Sequence, residues 1–135
     1  MFRRALITLA LPLTVAAQGL VSPEVESVVS GGYWEHQGSS GRYRVVLVNS
    51  GFEHVSSRLR VEWVRGPRTA DAGPEVVAST EPVLPFGQGL ASLAATVKPA
   101  GKGRVRITVT GVMAHEPQRQ VRAVLIATDP GKVSQ

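Results

Sequence analysis

The chain has 135 residues, with 15 lysines and arginines against 10 aspartates and glutamates, no cysteine and seven aromatic residues. A length of this order makes one small domain, and the absence of cysteine excludes a disulfide-stapled scaffold and a thiol catalyst. With 43% hydrophobic and 19% charged residues the chain carries enough apolar material for a core and is too apolar for a disordered polyelectrolyte.

The first segment reads as an export signal. Arg3 and Arg4 form a positive start, Ala5 to Leu13 is an apolar run, and Val15-Ala16-Ala17 supplies the small residues that signal peptidase accepts. Cleavage after Ala17 is expected, which assigns residues 1–17 to a signal peptide and 18–135 to a single domain. The run is interrupted by Pro12 and is shorter than the ~20 residues that span a bilayer, so no stable membrane insertion is expected. Loss of Arg3 and Arg4 lowers the formal charge from +5 to +3. The expected location is the periplasm or the cell exterior, where nucleic acid is not an ordinary partner.

From Val25 onward the dominant period is two, the signature of half-buried strands. Val25 to Trp34 reads as a strand broken near Gly31-Gly32, a pair that marks a bulge or kink. Arg42 to Val48 and Arg58 to Val64 follow, the second with Leu59, Val61 and Trp63 on one face and Arg58, Arg60 and Glu62 on the other. Gly66 to Pro74 reads as a loop and Glu75 to Ser79 as a short strand. Leu90 to Val97 fits both a helical and an alternating pattern; the short span between Gly89 and Pro99 decides for a strand. Arg104 to Thr110 places Val105, Ile107 and Val109 inward, Val121 to Thr128 is a seventh strand, and Asp129 to Gln135 reads as a frayed tail. Turns are expected at Gly38 to Gly41, Asn49 to Gly51, Pro99 to Gly101 and Glu116-Pro117. The expected fold is all-β: a single immunoglobulin-like β-sandwich of about seven antiparallel strands.

The common catalytic signatures fail on the letters. Gly87-Gln88-Gly89 lacks the third glycine of a dinucleotide fingerprint, and Gly101-Lys102 lacks both the first glycine and the hydroxyl residue of a phosphate loop. His115-Glu116 is followed by Pro117, which breaks the helix a zinc protease needs. No Gly-x-Ser-x-Gly elbow occurs. The expectation is a protein that is not an enzyme and carries no cofactor.

Three binding readings remain. Arg42-Tyr43-Arg44, Arg58-Leu59-Arg60 and Arg104-Val105-Arg106 each bury one apolar residue and display two guanidinium groups. Together they are expected to form a basic client-binding face of Arg42, Arg44, Arg58, Arg60, Arg104 and Arg106, suited to an acidic partner; the same charges would also keep strands soluble and guard edges. Each histidine has a glutamate neighbour, in Glu35-His36, Glu53-His54 and His115-Glu116. His36, His54 and His115 are therefore candidate ligands of zinc or copper in a periplasmic metal carrier, with Met113 as a possible thioether. Tyr33-Trp34, beside a Gly/Ser turn, is a candidate sugar-stacking platform of a carbohydrate-binding module.

The stretch from Gly89 to Thr110, where Leu90-Ala91-Ser92-Leu93 leads through Lys98-Pro99 to Arg104-Val105-Arg106-Ile107-Thr108-Val109-Thr110, resembles the C-terminal half of small periplasmic curli-assembly proteins of the CsgC type. The resemblance covers about a quarter of the chain. It implies an immunoglobulin-like sandwich that restrains amyloid formation by a secreted or fibre-forming protein client, with the arginine-bearing strands meeting that client. The family's Cys-x-Cys pair is absent, so no redox role follows.

Overall fold

The computed structural model describes residues 22–50, 56–86 and 90–135. The signal peptide assigned to 1–17, His54 and Gly87-Gln88-Gly89 lie outside the described residues. Two four-stranded antiparallel sheets make up the domain, and no helix occurs among the described residues. The first sheet runs β1 (Val25–His36), β2 (Ser39–Ser50), β3 (Ser56–Arg65) and β4 (Glu75–Thr80); the second runs β5 (Leu90–Pro99), β6 (Val105–Met113), β7 (Glu116–Ala127) and β8 (Val133–Ser134). Within each sheet every strand neighbours the one before it in the chain, and the chain leaves the first sheet for the second after β4 through residues 81–86, where Leu84 is buried.

The seven expected strands are all present, and their inward residues are those the alternation selects. Tyr43, Leu59, Val61, Trp63, Val105, Ile107 and Val109 are all buried, and side chains of both sheets form one core cluster. Two groups of that core clip the sheets together with polar bonds. The Tyr43 hydroxyl lies 2.9 Å from the Gly103 carbonyl and 2.8 Å from that of Thr128, and the Trp63 indole N–H donates to the Thr128 carbonyl at 2.9 Å.

β1 shows the bulge that Gly31-Gly32 announces. Gly31 pairs with Tyr43 and Trp34 with Gly41, so Gly32 and Tyr33 stand opposite the single residue Arg42. The extra residue reverses the phase of the strand: Trp34 enters the core, with its indole N–H on the Arg42 carbonyl at 3.0 Å, and Tyr33 faces out. Gly32 has a φ of 68°, and a side chain there would meet Val105 Cγ1 at 2.0 Å, so at the kink the β1 backbone packs directly against a β6 side chain.

Three expectations are corrected. The β1–β2 turn is Gln37-Gly38, both with positive φ as a two-residue hairpin of type I′ requires, so Ser39 to Gly41 belong to β2. Glu116-Pro117 opens β7 instead of making the turn, which falls at Ala114-His115; Pro117 sits beside a register irregularity between Met113↔Glu116 and Val112↔Gln120, where a missing N–H breaks no ladder bond. The tail is ordered. Asp129-Pro130-Gly131-Lys132 forms a turn with the Lys132 N–H on the Asp129 carbonyl at 2.9 Å and Gly131 at φ 85°, the Pro-Gly signature of a type II turn. The chain then returns as β8, an eighth strand paired with Ile126 and Ala127.

Candidate functional site

The six arginines do not share one face. Arg42 and Arg44 on β2 and Arg58 and Arg60 on β3 point outward from the first sheet, whereas Arg106 on β6 points outward from the second. Strand parity fixes which way a side chain points but not which sheet carries the strand, and β6 pairs only with β5 and β7. Arg104 precedes β6 and lines a cleft at the end of the sandwich instead of a sheet face.

On the first sheet most of the positive charge is answered internally. Glu62 lies on the same outer face, its side chain only 7% exposed, and it accepts from Arg44 Nε at 2.5 Å across the β2–β3 pair and from Arg60 Nε at 2.9 Å along its own strand. Arg58 lies 3.8 Å from Glu81. Val46 and Val64 point outward yet are buried; their cross-strand neighbours are Arg60 and Arg42, whose long aliphatic stems can lie over apolar surface while the heads stay in water.

The second sheet has the opposite character. Its outward positions are Ser92, Ala94, Thr96 and Lys98 on β5, Arg106, Thr108, Thr110 and Val112 on β6, and Gln120, Arg122, Val124 and Ile126 on β7. Lys98 stands directly opposite Arg106, and Arg122 opposite Thr110. None of these positions holds a carboxylate, and no ion pair forms on this face among the described residues. The sequence signal for this face is the complete lack of Asp and Glu between Glu81 and Glu116 and again from Pro117 to Thr128. Lys98 and Arg122 fall outside the Arg-apolar-Arg triplets and are recognised only through the register. β7 also borders an open edge: β8 covers only Ile126 and Ala127, so the strand from Glu116 to Leu125 has no partner on that side among the described residues.

The two described histidines, His36 and His115, are not brought together. His36 ends β1 and shares its cleft with Arg104 at the start of β6, while His115 follows the far end of β6. Eight residue steps of strand separate those ends, roughly 27 Å at ~3.4 Å per residue. His36 Nδ1 lies 3.5 Å from Asp129 Oδ1, and Met113 packs against the core. No group of three metal-ligating side chains occurs among the described residues. Of the aromatic couplet, Trp34 is buried and only Tyr33, 55% exposed, presents a ring to solvent.

Among the described residues one group is strongly shifted, the Tyr43 phenol, and burial is the main force on it. Burial pushes the phenol up to about 12, with a smaller upward push from the Asp129 carboxylate and an opposing pull from the Trp63 side chain. Tyr43 is thus a neutral structural donor at physiological pH. Comparison of the chain with family models, curated proteins and solved structures finds no match.

Proposed function

We propose that the protein is an exported, non-catalytic binding domain of the periplasm or the cell exterior that captures an acidic segment of a secreted or fibre-forming client and restrains its aggregation. The observation that carries this reading is the outer face of the second sheet, where Lys98, Arg106 and Arg122 stand among uncharged side chains with no carboxylate. Like charges placed opposite one another cost stability, so a Lys98–Arg106 pair with no acid beside it is a surface that gains from an external anion. Guanidinium forks suit carboxylates, and the field of such a face speeds encounter with an acidic chain.

The open edge of β7 adjoins this face and offers unpaired backbone groups to an extended segment. Electrostatic capture followed by strand addition would cover the client's own pairing edge, which is the step that fibre growth needs. The two antiparallel sheets and the resemblance to curli-assembly proteins support the same role. The immunoglobulin likeness proposed is one of architecture, since each sheet is built from consecutive strands and that type uses Greek-key returns. Arg44 and Arg60, held by Glu62, are assigned to the stability of the first sheet rather than to the client.

The test is the lag time of amyloid formation by the curli major subunit with substoichiometric protein added. A lengthened lag at low salt that shortens as salt is raised is the expected result; an unchanged lag at low salt overturns the proposal.

A further inference from the structure

We propose that the cleft at the end of the sandwich is a second binding site, for an acidic saccharide of the hexuronic type. Three segments converge there: the end of β1 with Tyr33 and His36, the β5–β6 turn with Lys102 and Arg104, and the turn before β8 with Asp129 and Lys132. Tyr33 is the exposed aromatic of the cleft, and its outward position is imposed by the β1 bulge that seats Trp34 in the core. The ring is therefore presented by a paired strand rather than a free loop, so little order has to be gained on binding.

The cleft sets Lys102, Arg104 and Lys132 against Glu35 and Asp129, an excess of positive charge, and these charges are unequal in their engagement. Asp129 is shared between His36 at 3.5 Å and Lys132 at 4.0 Å, whereas Lys102 and Arg104 have no carboxylate partner among the described residues. An exposed aromatic face takes the C–H face of a sugar ring, and an unengaged guanidinium takes a carboxylate through two parallel hydrogen bonds. A uronic acid carries both features on one ring. A neutral sugar would leave Lys102 and Arg104 unanswered, and an acidic peptide would leave Tyr33 unused.

This site shares no lining residue with the face of Lys98, Arg106 and Arg122, so substitutions at different residues test the two proposals separately. Calorimetric titration of the full chain with tri-galacturonate, with a neutral trisaccharide of the same linkage and with tetraglutamate tests it. The expected result is binding of tri-galacturonate about tenfold or more tighter than either control, weakened about tenfold by Tyr33→Ala and by Arg104→Ala, the loss of one ring or ion contact. Tyr33→Phe retains the affinity and Arg106→Ala leaves it unchanged. Equal affinity for the neutral sugar or for tetraglutamate, undiminished binding by Tyr33→Ala, or no binding in the millimolar range overturns the proposal.

Discussion

Tyr43 and Trp63 meet edge to face, with ring centroids 5.9 Å apart and planes at 61°, and both reach the Thr128 carbonyl from neighbouring strands of the opposite sheet. Two buried aromatics on β2 and β3 thereby tie the first sheet to the turn that launches β8. The phenol, raised to about 12 chiefly by burial, stabilises the fold only while protonated. Its folded value lies above its unfolded value of 10.0, so that contribution is whole below about pH 10 and is lost as pH rises through about 12. Tyr43→Phe is expected to cost about 1 kcal/mol at neutral pH and to flatten the fall in stability between those limits. Urea unfolding at a series of alkaline pH values measures both, and an identical alkaline fall in the variant would remove Tyr43 from the account.

The β1 kink yields a second prediction. A methyl group on Gly32 meets Val105 Cγ1 at 2.0 Å and Tyr43 Cδ2 at 3.2 Å on a backbone of φ 68°. Gly32→Ala is expected to destabilise by roughly 3 kcal/mol, combining overpacking with left-handed strain. In a Val105→Ala background the clash with Cγ1 is removed while the Tyr43 contact and the left-handed strain stay, and the same substitution should cost only about 1–2 kcal/mol. Thermal unfolding of the four proteins of this cycle shows whether the coupling exists.

The relation of Glu62 to Arg44 and Arg60 gives a third. Glu62→Gln leaves two guanidinium groups facing a neutral amide in a nearly closed site, at an expected cost of about 1–2 kcal/mol. Glu81→Gln, which touches only the half-exposed Arg58, should change stability by no more than ~0.5 kcal/mol. Chemical denaturation of the pair distinguishes a built ion cluster from ordinary surface charge.

Much of this was written in the chain. Alternation around Leu59-Arg60-Val61-Glu62-Trp63 picks the inward side chains because strand geometry is local, and Gly31-Gly32 marks the bulge because only glycine fits it cheaply. What alternation cannot carry is the consequence of that bulge. A regular strand would send Tyr33 inward and Trp34 outward, and one inserted residue exchanges them. The partition of the arginines was only half visible: alternation puts Arg60 beside Glu62 on its own strand, but only long-range pairing brings Arg44 to the same carboxylate and sets Arg106 opposite Lys98. The last strand was legible in Asp129-Pro130-Gly131, a turn that returns the chain to β7; a terminal position argues for fraying only where no such turn precedes it.

On the proposed function, the carboxylate-free face of the second sheet, and not the compensated face of the first, meets the client. The most direct measurement compares two folded variants in the fibre-lag assay at low salt, one with Lys98, Arg106 and Arg122 changed to glutamate and one with Arg44 and Arg60 changed to glutamine. The first variant is expected to lose the delay while the second keeps it in proportion to its folded fraction. Retention of the delay by the first variant, or its loss by a fully folded second variant, would contradict the claim.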